Sequence, residues 1–136
     1  MPVAEPVTHH DAVIATVDAA VSVPVDDVPG DTAPYVTVYA NPGGRLDGSL
    51  ASPDDDVRFP VQVTCVGRHR KEAQYLQAAV RVALLDESNV AVAGRSVMRV
   101  TLEQPSGVMR DPDVGERPEQ QVWFTTDVFH VHTTPA

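Results

Sequence analysis

Residues 35–39 read YVTVY, so Tyr, Thr and Tyr fall on one face of an extended segment while Val36 and Val38 fall on the other. The two-residue period returns at 57–66, with Val57, Phe59, Val61, Val63 and Cys65 on one side. Pro60 predicts that this second strand starts late or lies at a sheet edge, because proline donates nothing to a ladder. Residues 95–103 alternate less cleanly and still put Met98, Val100 and Leu102 on one face, and residues 90–93 predict a brief extended piece before them. In the last segment, 122–131, Val122, Phe124, Thr126, Val128 and His130 share one face and Trp123, Thr125, Asp127, Phe129 and Val131 the other. Apolar residues on both faces predict a central or covered strand.

Two stretches change to helical spacing. Val13, Ile14, Val17, Ala20 and Val21 recur at three- and four-residue steps behind Thr8, a cap residue with Asp11 three positions on. That predicts a helix of about fifteen residues; Pro24 and the VDDVPGD stretch stop it. Gly67 turns the chain into RHRKEAQYLQAAVRVALLD, where Ala73, Leu76, Ala79, Val80, Ala83 and Leu84 build one apolar stripe opposite Arg70, Gln74, Gln77 and Arg81. The segments 41–56 and 105–118 are rich in Gly, Pro and charge and predict long loops, the second projecting as an arm that carries Arg110.

The predicted fold is therefore α+β: a mainly antiparallel four-stranded sheet with two helices on one face, in the order α-β-β-α-β-β, with long loops between strands. At 136 residues the chain predicts one domain, 1–136. Two short helices leave the second face of the sheet open for subunit contacts.

Composition narrows the picture. Aromatic residues make up only 5%, so the core has to be built from Val, Ala and Leu. The net charge is -9, and it is lopsided: residues 1–67 carry ten acids against Arg45 and Arg58, while the rest carries nine acids and eight bases. A surface of this sign repels phosphate backbones, which argues against a sequence-reading DNA binder and suits DNA passing by without sticking. Cys65 is the only cysteine, so no intrachain disulfide is expected, and its apolar strand makes it a small buried hydrophobe. The N-terminus lacks the basic start and apolar run of a signal peptide, and no apolar window approaches ~18 residues, so a cytosolic site of synthesis and no membrane partner are expected.

The candidate chemistry is sparse, and no catalytic, cofactor or metal residues are assigned. His9 and His10 are adjacent, about 100° apart on a helix, which disfavours a clamp on one ion. His130 and His132 share a strand face and could chelate, but a third ligand has to come from elsewhere. The Asp54, Asp55, Asp56 run lacks the alternating spacing of a calcium loop, and Gly43 and Gly44 lack the Lys and following helix of a phosphate loop. Arg68, His69, Arg70 and Lys71 stand at a helix start, where their charge opposes the helix dipole, an arrangement that suits pairing with acids of a neighbouring subunit.

The pieces PYVTVYANPGGRLDGSL, SPDDD and FPVQVTCVGRHRKEAQYLQAAVRVAL, together covering roughly residues 34–85, resemble the tail terminator proteins of actinobacterial phages with long non-contractile tails, the siphovirus type. The resemblance implies a structural virion protein: a ring, hexameric in that family, that caps the tail tube, ends its polymerisation and joins the tail to the head connector or head-closure protein. It implies a virion location after assembly in the host cytoplasm. On this reading Gly43, Gly44, Arg45, Arg68, Arg70, Lys71, Arg81 and Arg110 are expected at subunit or partner contacts, and Asp54, Asp55 and Asp56 toward the channel. Two other readings remain open: another neck component, for head closure or tail completion, or a small ligand-binding or enzymatic domain with a pocket lined by His130, Asp127 and Arg99.

Overall fold

The computed structural model describes residues 6–26, 32–40, 57–110 and 122–135. Helix α1 spans Pro6–Ala20; then come β1 (Val25–Asp26), β2 (Tyr35–Ala40), β3 (Val57–Gly67), α2 (Arg70–Leu85), a short 3-10 turn (Glu87–Asn89), β4 (Arg95–Gln104), β5 (Met109–Arg110) and β6 (Trp123–Pro135). The sheet is ordered β1-β2-β3-β6-β4, with β5 pairing the other end of β6 on the β4 side. β1 runs parallel to β2, and the other described pairs are antiparallel.

This corrects the expected four-stranded, mainly antiparallel sheet: the sheet is mixed and has six strands, in the order α-β-β-β-α-β-β-β. The two additional strands are only two residues long. A two-residue strand shows no period, and β1 follows Pro24, which reads as a stop signal; its chain is drawn to β2 by the Val36 amide, which donates to the Pro24 carbonyl at 2.9 Å. Other boundaries move as well. α1 begins before Thr8, so Thr8 lies within the helix rather than capping it. Residues 90–93 form no strand; Val90 and Val92 are buried, and the chain turns through Gly94, whose φ of 75° suits a residue without a Cβ, into β4.

β3 is an interior strand rather than an edge, with β2 on one side and β6 on the other. Pro60 is tolerated because it lies one residue beyond the last β2 partner, the Ala40–Val61 pair. In β4 a register shift between Val97 and Arg99 breaks the expected face: Val100 is buried and Met98 is turned out, 55% exposed.

Alternation builds the core. Val36 and Val38 of β2, Phe59, Val61, Val63 and Cys65 of β3, and Phe129 and Val131 of β6 form one cluster with Val13 and Val17 of α1 and Leu76, Val80 and Leu84 of α2. Both helices therefore cover the same face of the sheet. Burial pushes the Cys65 thiol up to about 12, which keeps it a neutral apolar filler.

Gly67 ends β3 where α2 approaches most closely. A Cβ there meets the Ala73 backbone nitrogen at 2.6 Å and the Glu72 carbonyl carbon at 3.1 Å. Backbone atoms cannot swing aside as a side chain can, so Gly67→Ala is expected to cost about 1–3 kcal/mol, read as a lowered urea midpoint at unchanged slope.

Candidate functional site

Asp127 is a buried carboxylate that gathers donors from three residues. It faces the helices from the middle of β6, is 2% exposed, and accepts from Arg81 Nε at 2.8 Å and from a second Arg81 nitrogen at 3.0 Å. Its Oδ1 also accepts from Gln77 Nε2 at 3.1 Å and from the Ser106 amide at 2.9 Å. Gln77 reaches on to the Ser106 carbonyl at 2.8 Å, and the Ser106 hydroxyl accepts from the Thr126 amide at 2.7 Å. These five residues clamp the link between β4 and β5 onto β6 and α2. Gln77 and Arg81, expected on the outer face of α2, turn inward because this carboxylate needs donors.

α1 is held by a second polar set. His9 is fully buried, its Nε2 2.9 Å from Thr133 Oγ1, and that oxygen accepts from Arg95 Nε at 3.0 Å. The Thr133 hydroxyl thus joins His9 of α1 to Arg95 at the start of β4. His10 donates to the Val38 carbonyl at 2.7 Å. The adjacent histidines thus fasten the helix to two different strands.

At the start of α2 the basic run is answered by one acid. Glu72 accepts from the Arg68 amide at 2.8 Å and from two Arg68 guanidinium nitrogens at 3.1 and 2.7 Å, while its own amide donates to His69 Nδ1 at 3.3 Å. Histidine is the cap, and Glu72 reaches back as in a capping box but to the amide of Arg68, one residue before the cap. The Arg68 bonds hold the Glu72 carboxyl well below its ordinary 4.5, at about 2. A depressed carboxylate contributes stability above its unfolded value that is lost as pH falls toward its folded one. Acid titration of wild type and Glu72→Gln is therefore expected to show melting temperatures that differ above pH 4.5 and converge by about pH 2; a gap that stays constant to pH 2 would count against the cap.

The face of the sheet away from the helices carries polar rows set by strand register. Thr37, Thr64 and Thr126 align across three strands, as do Tyr39, Gln62 and Val128. Arg58, His132 and Arg99 form another row, and Pro60, His130 and Thr101 the next. His130 and Asp127 leave opposite faces of β6, so they do not line a common pocket with Arg99, as an enzymatic reading requires. A groove between α1 and the end of α2 is lined by Ala12, Thr16, Ala19, Ala83, Asn89 and Ala91, a set with no titratable side chain.

Of the expected contact residues, Arg68, Arg70 and Lys71 are exposed at the start of α2, with Arg68 bound to Glu72. The Arg70 guanidinium lies 5.9 Å from the Trp123 ring centre, and Arg110 of β5 is the strand partner of Trp123, so Arg70 and Arg110 gather at one corner. Arg81 is engaged with Asp127 inside its own chain. Gly43, Gly44, Arg45, Asp54, Asp55 and Asp56 lie outside the described residues. Sequence reading missed an exposed apolar stripe on α2, Tyr75 (75%), Val82 (76%) and Leu85 (41%), although the seven- and three-residue steps between them place it opposite the buried stripe.

Among solved structures, the chain matches a subunit of the virion of a native gene transfer agent particle with a TM-score of 0.54, at 14% identity, over 90% of this chain and 84% of that one. The two share a fold. At this identity the likeness extends to architecture and not to individual side chains. No protein-family model matches the chain, and no curated protein matches it in sequence. Among the described residues, no helix is long and apolar enough to cross a membrane.

Proposed function

We propose that this chain is a structural virion subunit and, within that class, a tail terminator that closes into a ring at the end of a tail tube. The observation that carries the reading is the fold shared with a gene transfer agent virion subunit across nine-tenths of the chain. The sequence resemblance over roughly 34–85 supplies the finer role.

A ring of identical copies needs two different patches that meet around an axis. The chain offers candidates for both. The corner formed by Arg70, Lys71 and Arg110 is basic, while residues 1–67 carry eight excess negative charges. The apolar stripe of Tyr75, Val82 and Leu85 borders that corner on the same helix and gives the contact a surface to bury. In this arrangement the overall negative charge keeps DNA from adhering as it passes. The tail tube protein and the head connector are the expected partners, and the ring is expected to be a hexamer.

Native mass spectrometry and negative-stain microscopy of the purified protein, alone and with tail tubes, test the reading. Closed rings or capped tubes are expected, and Tyr75→Glu with Val82→Glu, or Arg70→Glu with Lys71→Glu, should weaken assembly at least tenfold. A chain that stays monomeric at every concentration, leaves tube ends bare and is absent from virions overturns it.

A further inference from the structure

We propose that Glu103, His130 and His132 form a site for one divalent transition-metal ion of the zinc class on the open face of the sheet. His130 and His132 are two residues apart in β6 and so leave the same face. The third ligand comes from an irregularity in β4. Leu102 pairs with Phe129 and Gln104 with Val128, so Glu103 is the extra residue of a bulge. It lies beside Thr101 on the open face, and the Thr101 hydroxyl donates to Glu103 Oε1 at 2.6 Å. A bulge of this kind re-aims one side chain, and here it aims a carboxylate at two imidazoles.

The donor atoms of the three residues lie within 4.8 Å of one another. Ligand atoms around a tetrahedral zinc stand about 3.4 Å apart, from bond lengths near 2.0–2.1 Å, so modest side-chain rotation closes the set. The pair His130 Nδ1 and Glu103 Oε1 is already 3.6 Å apart. His130 Nδ1 is buried and has no hydrogen-bond partner, a cost that an ion would remove. His132 Nε2 lies 3.2 Å from Thr101 Oγ1, so the same hydroxyl touches both the carboxylate and the second imidazole.

Two imidazoles and one carboxylate select zinc, cobalt or nickel over magnesium and calcium, which want oxygen. Arg58 and Arg99 flank His132 in register and their charge opposes a cation, which makes the site weaker than a buried thiolate cage. Three ligands from one chain leave a fourth position for water or for a donor from a second molecule. The site does not rest on the ring reading, because uptake is measured on the single chain.

Tag-free protein titrated with Co²⁺ and Zn²⁺, followed by calorimetry and by the visible Co²⁺ absorption, provides the test. One ion per chain is expected, together with a raised melting temperature. Glu103→Gln and His132→Gln should each weaken uptake at least tenfold. His69→Asn, which removes an exposed imidazole while keeping a good helix cap, should leave it unchanged. Glu103 is exposed, so its variant is expected to fold even if a histidine variant does not. Absence of stoichiometric uptake by the wild type, or uptake that survives in a folded Glu103→Gln protein, overturns the site.

Discussion

Asp127→Ala is expected to cost about 3–5 kcal/mol, because cutting one member out of a buried ion pair leaves its partners without compensation. Three groups lose an acceptor at once: the Arg81 guanidinium, the Ser106 backbone N–H and the Gln77 amide, which keeps its bond to the Ser106 carbonyl. Arg81 recovers part of its hydration because its side chain is 32% exposed, which places the result toward the lower end of that range. Gln77 is buried and bears more of the loss. Replacing both charged partners, as Asp127→Leu with Arg81→Met, should be less harmful than Asp127→Ala alone, with a coupling energy of about 1–3 kcal/mol in a double-mutant cycle. Urea denaturation supplies all the values. Amide exchange adds a local check: Ser106 and Thr126 should lose protection before the rest of β6. A loss under about 1 kcal/mol would mean that the clamp is relaxed in solution.

This clamp also marks the limit of what alternation reveals. The period placed Asp127 on the face of Phe129 and Val131, and that much was legible. A carboxylate in an apolar row demands donors, but its donors sit 46 and 50 positions earlier on α2 and 21 earlier in the link after β4. Nothing local in the sequence names them, so Arg81 and Gln77 read as an outer face. The histidines show the same limit. The spacing of His9 and His10 speaks only against a shared ion, whereas their neighbourhood makes them anchors: a helix whose own polar and apolar faces are poorly separated is fixed by hydrogen bonds to Thr133 and Val38. The core of β2, β3 and β6 was readable because burial on one face imposes a period of two. The short strands β1 and β5 and the bulges of β4 were not, since each depends on partners distant in sequence. Glu103 belongs with them: its place beside His130 and His132 is a product of a bulge, which leaves no mark on the spacing of the histidines.

Phe59→Ala should be as damaging as loss of Asp127, by a different route. Phe59 is fully buried, pairs in register with Val131 and lies under α1, with the His9 ring centred 5.2 Å from its own. Deleting the ring removes its transfer energy and leaves a void under α1, a combination worth about 3–5 kcal/mol. The loss should be uneven. α1 rests on Phe59 through His9, while α2 is fastened separately through Asp127, so hydrogen exchange is expected to accelerate in α1 more than in α2. Met98→Ala, at a side chain 55% exposed, is the control and should change stability by less than about 0.5 kcal/mol. Exchange that rises equally in both helices would mean that the core melts as one unit, and that the histidine contacts do not give α1 an attachment of its own.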